Sequence, residues 1–580
     1  MKLNDLRLAA TMALIILLSV TVQAQYYEPG NYDDWNYNPT RVYGIKKLTQ
    51  TRDRAYYHLS KTDASTIKIQ YYNETGIADY SHLVRFVNGK ISTMISTDKY
   101  GFVYQVYKFT PVGPDALLVT SKRMGENYYL PCKAVKYIYK NNLLTELHYL
   151  GYSNKPGIKN GVSVIKYKRY DDKNRFSLLK EMSFFDENNQ PVISQSYDCH
   201  KMLYEYSERG NNLSSSCYGI AGEPVKNRYG VFMYRYQYDE NDNRVKQQNI
   251  GLNNELISNI HGVAEFDNEY THGLKTLETR YNEKRQISRP GESGDGAAII
   301  RYEYDERGNM IRQSYFDEDN KPVNNDAGYH TVRYSYSPAD MLTDIAYYDL
   351  NNKEQNDRHG IHHYHYDRNI KGQNTGISYF DASGQPVKDD HDEVFMCKYK
   401  YDEEGRQVSQ SFWKDDGTPM NRWDGFHEDV TRYDNEGQIV EELYLDEKGN
   451  AFTSSTGYSR LVQVFNSNAQ VAERKWYNGP DPVLLSNSFT SGFHSIKYTY
   501  DDKNRISIIR YFDTRMQPVA ATISLNEVMT AQMVEFNYNG NTLVQEKLYK
   551  PGEDSPSKII DCHTSDYLNT NGVNKGLKRQ

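Results

Sequence analysis

Cysteine, tryptophan and uninterrupted apolar stretches are all scarce in this chain, and each shortage narrows what it can be. There are five cysteines in 580 residues, Cys132, Cys199, Cys217, Cys397 and Cys562, and no two stand in a CxxC pair. A zinc ribbon is therefore not supported, and the odd number leaves at least one thiol free or paired between chains. No apolar run beyond the N-terminus is long enough to cross a bilayer. The 69 basic and 76 acidic side chains are spread evenly and give a net charge of −7. The basic stripe that a nucleic-acid surface needs is missing. No GxSxG, P-loop, HExxH or catalytic Cys/His pairing occurs. No catalytic residue, metal ligand or cofactor is assigned on these grounds, and the chain is expected not to be an enzyme. No stretch sustains a helical period with caps, so helices are not expected either.

What the chain does have is a leader-like start. Lys2 and Arg7 flank an apolar run from Leu8 to Val22, and Val22-Gln23-Ala24 offers a small-residue cleavage site before Gln25. This pattern predicts a secretory signal peptide over residues 1–24. Thr11, Ser19 and Thr21 interrupt the run, which opposes an uncleaved anchor, and no cysteine at the cleavage site suggests a lipoprotein. The mature chain is expected to be exported, to a periplasm, the cell surface or beyond, with no membrane span after cleavage.

A unit of about 33 residues then recurs thirteen times, most clearly as RYEYDERGNMIRQSYFDEDNKPV from Arg301 to Val323. A period of this size marks an array of supersecondary units rather than one enzyme-sized core. The aromatic anchors are Tyr139, Tyr170, Tyr206, Tyr238, Tyr270, Tyr304, Tyr336, Tyr366, Tyr401, Tyr433, Phe465, Tyr500 and Tyr538. Eleven positions after most of them stands a second aromatic residue: Tyr281, Tyr315, Tyr347, Phe412, Tyr444, Trp476, Tyr511 or Tyr549. The copies at Tyr170 and Tyr366 read as carrying short insertions and reach Phe184 and Tyr379.

Residues before each anchor alternate, as Phe232, Tyr234, Tyr236 and Tyr238 do with Met233, Arg235 and Gln237. Period two is the signature of a strand with one packed face. Gly210, Gly308, Gly405, Gly437, Asn174 and Asn504 stand four positions after anchors, where a tight hairpin needs positive φ. A second strand follows, then a turn at Gly222, Asn320, Gly384, Gly417 or Gly449. Prolines such as Pro191, Pro224, Pro322, Pro386, Pro419 and Pro518 come next, at places where a ladder donor is not required. Each unit thus reads as a β-hairpin plus a loop.

The expected fold is all-β: a tandem β-hairpin array forming an elongated or spiralling antiparallel sheet, solenoid-like, with roughly 26 strands over on the order of 120 Å if fully extended. With 54 Tyr against 19 Phe and 4 Trp, the composition suits a thin core, because tyrosine packs its ring while its hydroxyl reaches water or backbone. The organisation reads as a signal peptide (1–24), an irregular β-rich region acting as a cap or as degenerate repeats (25–130), about thirteen repeats (131–552) and a polar tail (553–580).

The YDERGN and YDEEGR elements resemble the YD repeats of the RHS family, hairpins centred on Tyr-Asp and preceded by a glycine. Gly230, Gly262, Gly296, Gly328, Gly425, Gly457 and Gly492 each lie eight residues before an anchor and match that pattern. The resemblance covers roughly residues 130 to 552 and rests on repetition, since each motif alone is weak. It implies a coiled β shell of bacterial origin. In RHS toxins such a shell encloses a C-terminal effector, but this chain is far shorter, lacks a DPxG-type core element and has too small a tail. A toxin activity is not carried over. YFDASGQPV at Tyr379 and YLDEKGNAF at Tyr444 also resemble aromatic hairpin repeats that bind cell-wall glycans, although those depend more on tryptophan. On that reading Tyr315, Tyr379, Tyr444, Trp476 and Tyr511 are the candidate ligand-facing rings.

Three further patterns bear on chemistry. His330, His362, His427 and His494 each stand two residues after a loop position, a ladder that fits packing better than metal binding. His363 and His365 fall on one strand face and His362 on the other. Asp171, Asp239, Asp305, Asp402, Asp434 and Asp501 follow anchors, and Asp186, Asp317, Asp349, Asp381 and Asp513 follow second aromatics. A carboxylate repeated copy after copy points to turn formation rather than to a catalytic pair. Cys199 and Cys217 lie on the two strands of one expected hairpin and could pair. The expected function is a non-catalytic scaffold or protein-interaction surface at the cell envelope, and the alternative is a glycan-binding module. The partner is accordingly an unidentified envelope protein or glycan.

Overall fold

A computed structural model describes residues 25–27, 48 and 51–561, apart from 89, 124–133, 141–142, 151–155, 158, 172–177, 292–294, 391, 436, 455–456, 467–469, 487–489, 502–504, 525–527 and 540–541. The expected signal peptide, most of the tail, Cys132, Cys562, Asn174 and Asn504 lie outside the described residues. The described residues form no helix; 35 strands make one antiparallel sheet and three make a second. The thirteen copies supply 26 of the strands in the large sheet, the number their alternation predicts.

The sheet is a meander in chain order. Within a unit the two strands pair over their length, as Ile299–Tyr304 does with Met310–Phe316. Between units only three residue pairs connect, as in Arg312↔Arg333 to Ser314↔Thr331. Strands from Tyr56–Asp63 to Ala116–Arg123 continue the same meander, and Ala116–Arg123 pairs directly with Ala134–Lys140 of the first unit.

The local chemistry explains the hairpin. Asp305 turns its carboxylate onto the backbone amides of Arg307 and Asn309 (3.0 and 2.8 Å), and Gly308 takes φ +84°. The anchor sits at a register shift between Glu303 and Tyr304, so the turn closes through a bulge. The second turn repeats the device at Asp317 with Asn320 at φ +61°, and Phe316 then bridges back to Pro322. A third turn follows in the loop, where Asn325 accepts from Ala327 and Tyr329 and Gly328 takes φ +98°.

Two anchor assignments are corrected. The register shift falls at Arg169 and Arg368, not at Tyr170 and Tyr366. With Arg368 as anchor, Tyr379 is eleven residues on and Gly360, at φ +81°, is eight before, so that copy has no insertion. Periodicity alone does not separate the two choices at the second site: Tyr366 and Arg368 point to one face of the same strand, and a shift of two preserves every side chain's face.

The core is thickest at the two ends. One cluster joins Tyr57, Ile69, Val84 and Met94 to Leu147, Phe184 and Cys217, so the N-terminal strands and the first units share apolar packing. Another gathers Trp476, Phe493, Ile509, Tyr511 and Val534 under the small sheet of Thr490–Ser491, Ala521–Ser524 and Val528–Ala531. Between them the clusters are small and the middle of the sheet carries half-buried tyrosines such as Tyr302, Tyr334 and Tyr399.

The sheet also coils back on itself. Asn73 and Thr75 donate to the Arg307 carbonyl (3.1 and 2.9 Å), and Lys99 and the Tyr100 hydroxyl donate to the Asp340 carbonyl (3.2 and 3.0 Å). His272 reaches Asp53 and Arg54 reaches Asp242 in the same way. Three of these links join the connection after the first strand to that after the sixteenth, the third to the eighteenth and the fifth to the twentieth, a recurring offset of fifteen strands, while Arg54–Asp242 spans thirteen. Turn edges of successive coils therefore meet along a seam.

Candidate functional sites on the two sheet faces

Alternation gives the sheet an aromatic face and a polar face, and the aromatic face is largely occupied by its own packing. Anchor hydroxyls reach back one unit to the carbonyl near the start of the preceding second strand. Tyr270 donates to Arg244, Tyr304 to Lys275, Tyr336 to Met310, Tyr401 to Asn374, Tyr433 to Gln407, Tyr500 to Val471 and Tyr538 to Ile506, at 2.6 to 3.0 Å. Where the anchor is not tyrosine a different donor makes the same link: Arg169 to Leu144, Arg368 to Leu342, and Gln463 beside Phe465 to Ile439. The shared task is a long side chain with a terminal donor.

The second aromatics build a ladder. Tyr329 stacks on Tyr347 at 4.1 Å and meets Tyr315 edge-on at 6.1 Å. Phe426 lies between Phe412 and Tyr444 (5.8 and 4.6 Å), and Phe493 between Trp476 and Tyr511 (5.4 and 5.1 Å). The intervening ring always follows a loop glycine, Gly328, Gly425 or Gly492. The repeat pattern missed this position, although an apolar residue directly after each loop glycine is its visible signal.

Among the candidate ligand-facing rings, Trp476 is 0 % exposed, Tyr315 and Tyr511 are 5 % and Tyr379 is 7 %, while Tyr444 is half-buried between Phe426 and Tyr458. Stacking on a sugar needs a free ring face, and burial withholds one at the first four of these rings.

The histidine ladder is structural as well. His330, His362, His427 and His494 are buried, each with Nδ1 at 2.8 to 3.3 Å from a backbone carbonyl, of Val323, Gln355, Met420 and Trp476. Each ring packs edge-on against Phe316, Tyr348, Trp413 or Tyr477, at 5.3, 5.5, 5.2 and 5.0 Å. The repeated carboxylates hold turns: Asp239, Asp349, Asp381, Asp446 and Asp513 each accept two backbone amides, as Asp305 and Asp317 do. The amide of Lys353 holds the Asp349 carboxyl below the usual range. Cys199, Cys217 and Cys397 are buried free thiols, so Cys199 and Cys217 are not bonded to each other here.

The polar face carries cross-strand charge networks. Lys246 lies 2.6 Å from both Glu265 and Asp267, and Arg432 and Arg460 both close on Glu441. Burial pushes the Glu265 carboxyl up, but its bonds to Lys246 and Gln248 outweigh that and hold it below the usual range. On the same face His363 and His365 converge on Asp344. A separate cleft of about 320 Å³ opens near the first units, with Tyr149, Lys159, Asn160, Tyr167, Tyr204 and Tyr206 among the residues that line it.

Fold and faces together define a tandem β-hairpin repeat protein. No protein-family model matches the chain, and no curated protein does. Among solved structures it is similar to a Photorhabdus luminescens Tc holotoxin pore with a TccC3 mutation (12% identity, TM-score 0.31) and to a TcdB2–TccC3 structure (12% identity, TM-score 0.21). Each match covers 87% of this chain and only 30% of the other. A porin-like protein from Bacteroides uniformis matches at 8% identity and TM-score 0.13, over 49% of this chain and 91% of that one. Superpositions this loose establish no shared function, and the function has to be read from the residues of this chain.

Proposed function

We propose that this is an exported, non-catalytic scaffold of YD-repeat type that presents its polar β face to a protein partner at or outside the cell envelope. The observation that carries the reading is the fate of the aromatics. A protein scaffold buries its repeated rings to hold the units together, whereas a glycan binder leaves a row of them open. Here Phe184, Tyr315, Tyr379, Phe412, Trp476 and Tyr511 of the second-aromatic ladder are buried, its other rings are half-buried, and anchor hydroxyls such as those of Tyr336 and Tyr401 bond the backbone of neighbouring units. The polar face, by contrast, offers partly exposed charged pairs such as Lys400–Glu428 and Arg432–Glu441. Charge complementarity of that kind favours partner selection and steering more than raw affinity.

The glycan reading keeps one observation, the tyrosine-lined cleft near Tyr149. Co-sedimentation of residues 25–580 with isolated envelope separates the two. Binding that disappears after protease treatment of the envelope supports the scaffold and makes cross-linking the next step. Binding that survives protease but fails on glycan-stripped material overturns it in favour of the cleft.

A further inference from the structure

We propose that Asp344, His363 and His365 form a binding site for a divalent transition metal, Zn²⁺ foremost, on the polar face of the sheet. Among the described residues this is the one group of three His, Cys, Asp or Glu side chains whose ligand atoms all lie within 4.8 Å of one another. His363 and His365 are two apart on the strand His363–Arg368, so the pleat sends both rings to one face. Asp344 on the neighbouring strand is directly opposite His365. His363 Nε2 and His365 Nδ1 both stand 2.8 Å from the same carboxylate oxygen, Asp344 Oδ1.

That convergence is close to a coordination polyhedron. An ion holding its ligands at about 2.0–2.1 Å spaces them roughly 3.0–3.4 Å apart, so each histidine nitrogen needs to draw back from the Asp344 oxygen by only about half an ångström to admit it. Two imidazoles and one carboxylate suit zinc, nickel or copper rather than magnesium or calcium. The second ring nitrogen of His365, Nε2, lies 3.6 Å from Asp367 Oδ1. A carboxylate there favours the tautomer that keeps Nδ1 free for the metal. Phe380 stacks on His363 at 5.4 Å and limits its rotation. All three side chains are 27–42 % exposed, which leaves an entry path and room for water to complete the shell.

The same place in another unit sharpens the contrast. Glu441 corresponds to Asp344 and is closed upon by Arg432 and Arg460; their counterparts here are Ser335 and His363. A guanidinium neutralises a carboxylate but has no lone pair for a metal, whereas imidazole has one. This unit thus has a ligand, His363, in place of one fixed cation and the neutral Ser335 in place of the other.

The test uses the mature chain stripped with EDTA, titrated with ZnCl₂ by calorimetry and with CoCl₂ by visible d–d absorption. One saturable equivalent per chain is expected, with a cobalt band typical of nitrogen and oxygen ligands. Asp344→Ala and His365→Ala should each weaken binding by roughly 100-fold or more, and Asp367→Asn by about 10–100-fold. His359→Ala, an exposed histidine paired with Asp390, should leave binding unchanged. Circular dichroism accompanies each variant; should Asp344→Ala not fold, His365→Gln at its exposed position gives the same reading. Absence of saturable binding, or binding indifferent to His365, overturns the site.

Discussion

The hydroxyl of an anchor tyrosine such as Tyr336 does what phenylalanine cannot. Tyr336 donates to the Met310 carbonyl at 2.9 Å, a bond that ties one unit to its predecessor. Tyr336→Phe keeps the ring and removes the link, and should cost about 1 kcal/mol. Hydrogen exchange at Met310 to Gln313 should quicken several-fold while distant units stay unchanged; uniform exchange across the array would contradict the local role. His82 offers a pH test at the same scale. Its ring is buried beside Ser96 Oγ (2.7 Å), and burial pushes its pKa down to about 4. An unfolded histidine titrates near 6.5, so between about pH 6.5 and 4 the unfolded chain binds the extra proton. Stability is therefore complete above that window and falls as pH drops through it, by up to about 3 kcal/mol. His82→Asn should flatten the fall in melting temperature between pH 7 and 5.

At the scale of the element, the sequence is most informative where a single residue must satisfy a single backbone requirement. Asp-x-x-Gly turns and the period-two strands were legible for that reason, and the 26 repeat strands follow from them. Less legible were positions whose role depends on the next unit. Arg169 and Arg368 stand in for tyrosine because guanidinium also ends in a donor, an equivalence that an aromatic pattern cannot display. The buried rings after the loop glycines were missed because the loop looks polar on average. The candidate rings Tyr315, Tyr379, Trp476 and Tyr511 were legible as equivalent but not as buried, since burial is conferred by those unseen neighbours. Two substitutions probe the elements directly. Trp476→Ala opens the ladder between Phe493 and its surroundings and should destabilise the C-terminal units by about 3–5 kcal/mol, read as an earlier chemical unfolding transition. Met516 holds φ +59° at a turn position where most other units use glycine or asparagine and one uses Arg285. Met516→Gly should raise the stability of its unit by up to about 1 kcal/mol; a loss would mean the side chain contributes packing that outweighs the strain.

For the whole molecule, the decisive contacts are those that no local pattern announces. The seam joins turns from 188 residues apart, at Arg54 and Asp242, to 303 apart, at Phe102 and Gly405, between N-terminal hairpins and repeat units of different length. Fifteen strands at ~4.8 Å give a coil roughly 23 Å across if the strands run along its axis, and wider if they tilt. Tyr100 covers Gly372 and Phe102 covers Gly405, so closely that a Cβ on either glycine would collide with the ring. Tyr100→Ser combined with Phe102→Ser should release the seam while the hairpins persist. Small-angle scattering should then show a longer maximum dimension, with an unchanged β signal in circular dichroism.

The pairing of particular turns along the seam has a consequence for how such a chain can change length. Units stack by a uniform link, so adding or removing one ought to be easy in a simple array. Here a unit inserted between Gly113 and Arg307 would move every later turn two strands out of phase with its N-terminal counterpart. Asn73 would then face a connection other than the one at Arg307, and Tyr100 would lose both the Asp340 carbonyl and its glycine. The seam contacts described above end at Gly405, and growth of the array beyond it is expected to be tolerated. The molecule is thus a ruler whose first lap has a fixed number of marks and whose second lap does not.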